Sequence, residues 1–119
     1  VIVRTILESL ALRYRWTLEK VEDILGHRCP VLHVVGGGSQ NRLLNQFTAD
    51  AIGRPVVAGP VEATAIGNVL MQLLAQGHIG SLQEGREVVR RSFATTTYEP
   101  QAPVRWDEAY ERFVTLLDR

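Results

Sequence analysis

Val31–Gly59 reads VLHVVGGGSQNRLLNQFTADAIGRPVVAG, and this stretch decides the fold. Its first five residues are short, almost wholly apolar and rich in β-branched side chains, the composition of a strand covered on both faces. Three glycines follow, Gly36, Gly37 and Gly38, with a helical pattern directly after them. In RLLNQFTADAI, Leu43, Leu44, Phe47 and Ala51 fall on one helical face. Gly53 closes that helix, and PVVAG at 55–59 is a second short strand. A strand–helix–strand unit this compact predicts two parallel strands joined by a right-handed crossover.

Upstream, Val3, Leu7, Leu10, Tyr14, Leu18, Val21 and Leu25 recur at steps of three and four. The spacing predicts a long helix with one apolar stripe, ended by Gly26. A coiled coil is the rival reading, disfavoured because nothing after the first three heptads keeps the pattern. The chain opens inside this helical pattern, with neither an initiator methionine nor a capping residue before it, and is expected to come from the middle of something longer.

Downstream, Ala63, Ile66, Gly67, Leu70, Leu73 and Leu74 mark the buried side of another helix, stopped by Gly77. Ser81 and Glu84 stand at capping-box spacing, so a further helix is expected to run to about Ser92. ATTTYEPQAP at 94–103 is expected to be an extended connector. Trp106, Tyr110, Phe113 and Leu117 then predict a last amphipathic helix. The fold class is therefore α/β, with helices around a small sheet built on a βαβ unit. Two strands are too few to cover their own faces and edges, so the sheet is expected to be incomplete without strands from elsewhere.

Thirteen basic and thirteen acidic residues balance, so no basic field draws the chain to nucleic acid or anionic lipid. No apolar run is long enough to span a membrane, and nothing reads as a signal peptide. Cys29 is the only cysteine, which excludes an internal disulfide and fits a reducing cytoplasm. His27, His33 and His78 share no ligand spacing, so no metal site is expected from them. His33 is expected in the core or at a sheet edge, and Asp50 at the surface or in a polar network. No catalytic set is evident from spacing.

A strand, a glycine turn and a helix N-terminus make an anion site, because the first N–H groups of the helix lack internal partners. Glycine lets a nucleotide lie against the backbone and permits positive φ. Ser39, Gln40 and Asn41 add polar side chains at the same end, and Asn41 offers donors and an acceptor together. The competing reading is a tight turn in which Ser39 or Asn41 merely caps the helix, and on spacing alone both stand. The turn has neither the Gly-Lys-Ser/Thr of a P-loop nor dinucleotide-binding glycine spacing. In GPVEATAIGN at 59–68, Ala63 and Gly67 lie one turn apart and serve either close helix packing or a flat pocket wall. Glu62 is expected to cap its helix.

Taken in order, ILESLALRY, GGGSQN, LLNQFTADA, AGPVEATAIGN and the later Tyr98-Glu99-Pro100 resemble the C-terminal domain of the FGGY carbohydrate kinases, and within them the rhamnulokinases. The resemblance covers essentially the whole chain. ILESLALRY is similar to the end of the second FGGY signature, with Glu8 as its acidic residue. Thr5 and Val1 depart from that signature, where alanine or serine and a polar residue are usual.

The resemblance implies the C-terminal half of an actin-like ATPase, a ribonuclease-H-like fold. Residues 1–119 would be its nucleotide-binding domain, with the N-terminal domain and the start of this domain outside the chain. It implies that Gly36, Gly37, Gly38 and Asn41 hold the adenosine end of ATP. It also implies Mg²⁺ as cofactor, ATP and ADP and a ketose as partners, and transfer of the γ-phosphoryl group to L-rhamnulose to give the 1-phosphate. The family's catalytic residues would lie upstream, leaving none here. Another FGGY ketose kinase of xylulose or fuculose type, or a non-catalytic nucleotide-binding or interaction fragment, are the alternatives.

Overall fold

Glycines in left-handed conformations, Gly26, Gly53 and Gly77, follow three of the helices. The computed structural model describes residues 1–119, Pro103 by its backbone alone. Helix α1 spans Ile2–Leu25 and stops at Gly26, whose φ is 76° and whose N–H donates to Glu22 O at 2.8 Å. Helix α2 spans Arg42–Ile52 and stops at Gly53, with φ 66°. Helix α3, Ala63–Ala75, ends in a Schellman turn. There the Gly77 N–H donates to Leu74 O and the His78 N–H to Leu73 O, satisfying carbonyls that a helix end leaves bare. Helix α4, Leu82–Ser92, starts from Ser81, whose side chain accepts from the Glu84 N–H. The Glu84 carboxylate reaches back to the Gly80 N–H, one residue before the usual capping-box target.

The sheet has three strands in the order β1-β2-β3. Strand β1 is Leu32–Val34, β2 is Val56–Ala58 and β3 is Thr96–Tyr98. The β1–β2 pair is parallel, as the crossover predicts, with His33 opposite Val57. Strand β3 runs antiparallel to β2 and places Thr97 opposite Val57. The expected connector at 94–103 therefore contains a strand, and the chain itself supplies the neighbour on the far side of β2. The β-branched and aromatic run Thr95–Tyr98 carried that signal, which the adjacent Glu-Pro and the short length obscured.

Helix α5, Pro103–Leu117, packs with α1 and α2 around Ala11, Leu12, Leu44, Phe47, Ala51 and Trp106. Phe47 and Trp106 meet at a centroid distance of 5.3 Å with their planes at 49°, a tilted geometry that aromatic pairs favour. A second cluster, Ala49, Ile52 and Val56, joins α2 to the sheet, with Leu18, Leu32, Val34 and Tyr98 against it. One sheet face is thus covered by α2, with Leu18 of α1 packed against the same cluster.

Two expectations fail by rotation. Five residues of the predicted stripe of α1, Val3, Leu10, Tyr14, Val21 and Leu25, are exposed, and Leu7 and Leu18 alone of the stripe pack on the core. Instead α1 turns Leu7, Ala11, Leu12 and Leu18 inward, together with charged residues that find partners there. Arg15 donates to the Ala51 carbonyl at 3.1 Å and to Asp107 at 2.6 Å. Its guanidinium lies 4.0 Å from the Tyr110 ring centroid. In α2, Leu43 is likewise exposed, whereas Leu44, Phe47 and Ala51 are buried as predicted. A stripe records where apolar residues recur, not which neighbour covers them.

The loop between α1 and β1 is pinned by a two-toothed fork. Arg54 donates to both Glu22 carboxylate oxygens, at 2.8 and 2.9 Å, and to Cys29 O at 2.9 Å. Glu22 also accepts from the Cys29 N–H at 2.6 Å. The fork holds the Glu22 carboxyl below its ordinary range. Arg54 Nε is buried without a hydrogen-bond partner, so these bonds are the compensation that guanidinium receives.

Candidate functional site

Both glycine-bearing constellations of the sequence meet at the C-terminal ends of β1 and β2, where open α/β sheets bind ligands. The Gly59 N–H donates to Val34 O at 2.8 Å, and the Gly36 N–H donates to Pro60 O at 3.2 Å. These bonds carry the β1–β2 pairing past the strand ends and tie the two loops together. The Gly59–Pro60 peptide is cis. A Cβ at Gly59 would lie 3.1 Å from Ala94 O, so the loop after β2 also sits tightly against the segment leading into β3.

Each glycine of the triplet has its own reason. Gly36 has φ 78° and ψ −162°, a region open essentially to glycine alone. Gly37 and Gly38 do not share that constraint: a Cβ at either position would meet nothing within 4 Å. No protein atom forbids a side chain there. Their backbone faces open space.

Gly37 and Gly38 open a 3₁₀ turn, Gly37–Gln40, that precedes α2, so the α-helix does not begin at the glycines. Asn41 is its N-cap, and its Oδ1 accepts from the Leu44 N–H at 3.1 Å. The capping role left open by the sequence is therefore real. It uses only the acceptor end of the amide. Ser39 is buried, and its Oγ donates to Gly36 O at 2.7 Å.

Asn45, unremarked in the sequence, is 2% exposed. Its Nδ2 donates to Ser39 O at 3.0 Å. One turn into α2, it anchors the glycine turn from below. The signal was present as a polar residue amid the apolar positions of α2, but its partner became visible only in three dimensions.

A groove of about 660 Å³ opens beside this turn, on the sheet face opposite the helical core. His33 and Val57 come from the sheet, Ala63 and Gly67 from α3, and Arg86 and Arg90 from α4. Ala63 and Gly67 therefore line a wall, the pocket reading of that small-residue step. Glu62 is the α3 N-cap residue but makes no side-chain cap bond, contrary to expectation. His33 is exposed at the edge strand. Arg90 pairs with Glu87, while Arg86 has no ion pair among the described residues. An apolar floor with cations on its rim suits a flat ring bearing negative charge.

Asp50 is buried in a polar network away from this groove, accepting from Gln46 Nε2 at 2.9 Å and from the Gln101 N–H at 2.8 Å. Among the described residues, no group of three His, Cys, Asp or Glu side chains is placed to hold a metal ion. Among the described residues no helix is long and apolar enough to cross a membrane.

The chain belongs to the FGGY family of carbohydrate kinases, whose C-terminal domain model matches residues 1–76. It is 54% identical over 112 residues to a rhamnulokinase of Bacteroides thetaiotaomicron, covering 94% of this chain and 23% of that protein. To a rhamnulokinase of Klebsiella pneumoniae it is 44% identical over 113 residues, or 95% of this chain and 22% of that protein. Among solved structures it is similar to the xylulose kinase from Rhodospirillum rubrum, with TM-score 0.68 and 28% identity over 92% of this chain and 22% of that one. The α/β architecture is the actin-like ATPase one that the resemblance implied. The chain spans less than a quarter of the length of these relatives.

Proposed function

We propose that this chain is the adenosine-binding part of an ATP-dependent sugar kinase that phosphorylates L-rhamnulose to the 1-phosphate. One observation carries the nucleotide reading. The turn from Gly36 to Asn41 is held rigidly by Asn45 and Pro60, yet Gly37 and Gly38 present bare backbone to open space. Such a turn gives a nucleotide close backbone approach without any rearrangement cost. The Asn41 Nδ2 group stays available beside it for a ribose or base edge.

The chain's own residues bind and orient in this reading. The groove walls at Ala63 and Gly67 take the flat ring, and the glycine turn takes the adjoining sugar. Mg²⁺ would sit with the phosphates and with groups outside this chain, since no metal-ligand cluster forms among the described residues. Mg²⁺ supplies charge neutralisation during phosphoryl transfer. No residue of this chain is assigned as the base for the acceptor hydroxyl, and the setting is the cytoplasm.

L-Rhamnulose as acceptor is supported by the rhamnulokinase relatives. The likeness to a xylulose kinase favours a second reading, a different ketose on the same scaffold. Titrating the chain with Mg-ATP and Mg-ADP while following backbone amide shifts tests the nucleotide half. Saturable shifts at Gly36–Asn41 and Ala63–Gly67 are expected, and a folded chain showing none would overturn it. Comparing L-rhamnulose with xylulose and fuculose, in a kinase containing this chain, tests the acceptor.

A further inference from the structure

A second cavity, of about 310 Å³, lies between α1, α2 and α5 and shares no lining residue with the groove beside the glycine turn. Leu12, Phe47 and Trp106 form its apolar floor. Phe47 and Trp106 are each 9% exposed, so the tilted aromatic pair of the core keeps an edge open here.

Three guanidinium groups surround the floor, Arg4 from α1 and Arg105 and Arg112 from α5. Arg4 is committed: its Nε donates to Glu8 at 2.8 Å, and its guanidinium lies 5.5 Å from the Phe47 ring centroid. Arg105 and Arg112 enter no ion pair among the described residues. They stand two turns apart on one face of α5, about 10 Å along its axis. Two long side chains at that separation can close on a single oxyanion.

Further donors converge on the same space. Helix α5 starts from Ala102, which lines the cavity and supplies no side-chain cap, so the positive end of the helix lacks a capping acceptor. A buried indole N–H ordinarily finds an acceptor, yet that of Trp106 donates to no group among the described residues. Arg54 Nε alone among them is fully enclosed without a partner, so the Trp106 N–H meets the open cavity. The nearby acceptors are engaged elsewhere. Glu8 holds Arg4, and Asp50 Oδ1 accepts from Gln46 Nε2 and the Gln101 N–H.

Charge sets the ligand class. Three arginines against Glu8 and Asp50 leave one net positive charge around the cavity. A monoanion balances it, whereas the second charge of a phosphate monoester would face the two carboxylates. We infer that this cavity is a further binding site, for a small aromatic monocarboxylate. The ring would lie on Phe47 and Trp106, and the carboxylate would accept from Arg105, Arg112 and the Trp106 N–H. The inference is independent of the nucleotide reading.

Benzoate is the probe. Trp16→Phe leaves Trp106 as the chain's sole indole, and its emission should change saturably as benzoate is added. Arg105→Gln with Arg112→Gln should weaken binding by about tenfold or more, since charge-assisted bonds are lost. Trp106→Phe keeps the ring and deletes the N–H, and should weaken binding about threefold in a ligand-observed NMR titration. Arg119→Gln, at an exposed position outside the cavity, should leave binding unchanged. Benzyl alcohol, which has the ring without the charge, and inorganic phosphate, which has charge without the ring, should each bind about tenfold more weakly than benzoate. Should the chain not fold alone, saturation transfer to benzoate is measured on the Bacteroides thetaiotaomicron rhamnulokinase carrying this chain in place of the aligned stretch, with Mg-ADP in excess. No saturable change in a folded sample, equal affinity in the double arginine variant, or benzyl alcohol or phosphate binding as tightly as benzoate would each overturn the inference. So would binding to the isolated chain that vanishes in that chimera, because the rest of the kinase would then fill the cavity.

Discussion

Asn45 and Ser39 are joined by a 3.0 Å bond from the Asn45 side-chain amide to the Ser39 carbonyl, with both residues buried. Asn45→Ala leaves that carbonyl without a partner out of reach of water. The expected loss is about 1–3 kcal/mol of stability, measured by urea unfolding. Because the bond holds the glycine turn, amide exchange at Gly37 and Gly38 should quicken more than exchange in α3. Uniform quickening would mean that Asn45 supports the domain generally and not the turn.

The glycine triplet should divide under substitution. Gly36→Ala forces alanine to φ 78°, ψ −162° and should cost about 1–3 kcal/mol. Gly37→Ala meets no atom within 4 Å and should change stability by less than about 0.5 kcal/mol. If nucleotide lies against this backbone, Gly37→Ala will weaken Mg-ADP binding at nearly unchanged stability. Calorimetric titration beside thermal melts separates the two effects. Equal losses at both positions would contradict the backbone geometry.

The Glu22–Arg54 fork makes stability depend on acid. Hydrogen bonding to Arg54 lowers the Glu22 pKa from its ordinary 4.5. A depressed folded pKa means that the contribution is fully present above the unfolded value and is lost as pH falls through the folded one. Melting temperature should therefore drop as the solution is acidified below pH 4.5. Glu22→Gln should be less stable at neutral pH and show a shallower acid decline. An unchanged acid limb in that variant would show that other carboxylates control it.

Tyr110 acts at the opposite end of the scale. Burial first, and then its hydrogen bond to Glu19, push the phenol from 10.0 up to about 12. A raised folded pKa gives stability that is complete below pH 10.0 and is lost on the way to about 12. Tyrosinate absorbance should reveal one late-titrating tyrosine, absent from Tyr110→Phe. That variant should lose about 0.5–1.5 kcal/mol, since Glu19 keeps Arg15 as a partner.

Local pattern was enough for the βαβ unit, the glycine stops at Gly26, Gly53 and Gly77 and the Ser81 start; on the side of α3 expected to be buried, Leu70 is buried and the others are half-exposed. Each depends on residues within a turn or two of one another. Backbone conformation at glycine, capping and helical periodicity act over that range, and the ordered family segments then identified the carbohydrate kinase family. Long-range contact decided the rest. Strand β3 exists because β2 offers an edge to Thr96–Tyr98, which no property of 94–103 alone requires. The inward side of α1 was chosen by α2 and α5, whose Ala51 carbonyl and Asp107 compensate Arg15, leaving Val3, Leu10, Tyr14, Val21 and Leu25 outward. Nor did spacing show that Gly36 would meet Pro60 or that Asn45 would hold Ser39. Hydrophobic periodicity fixes a helix's faces, but the partner available to each face is a property of the assembled chain.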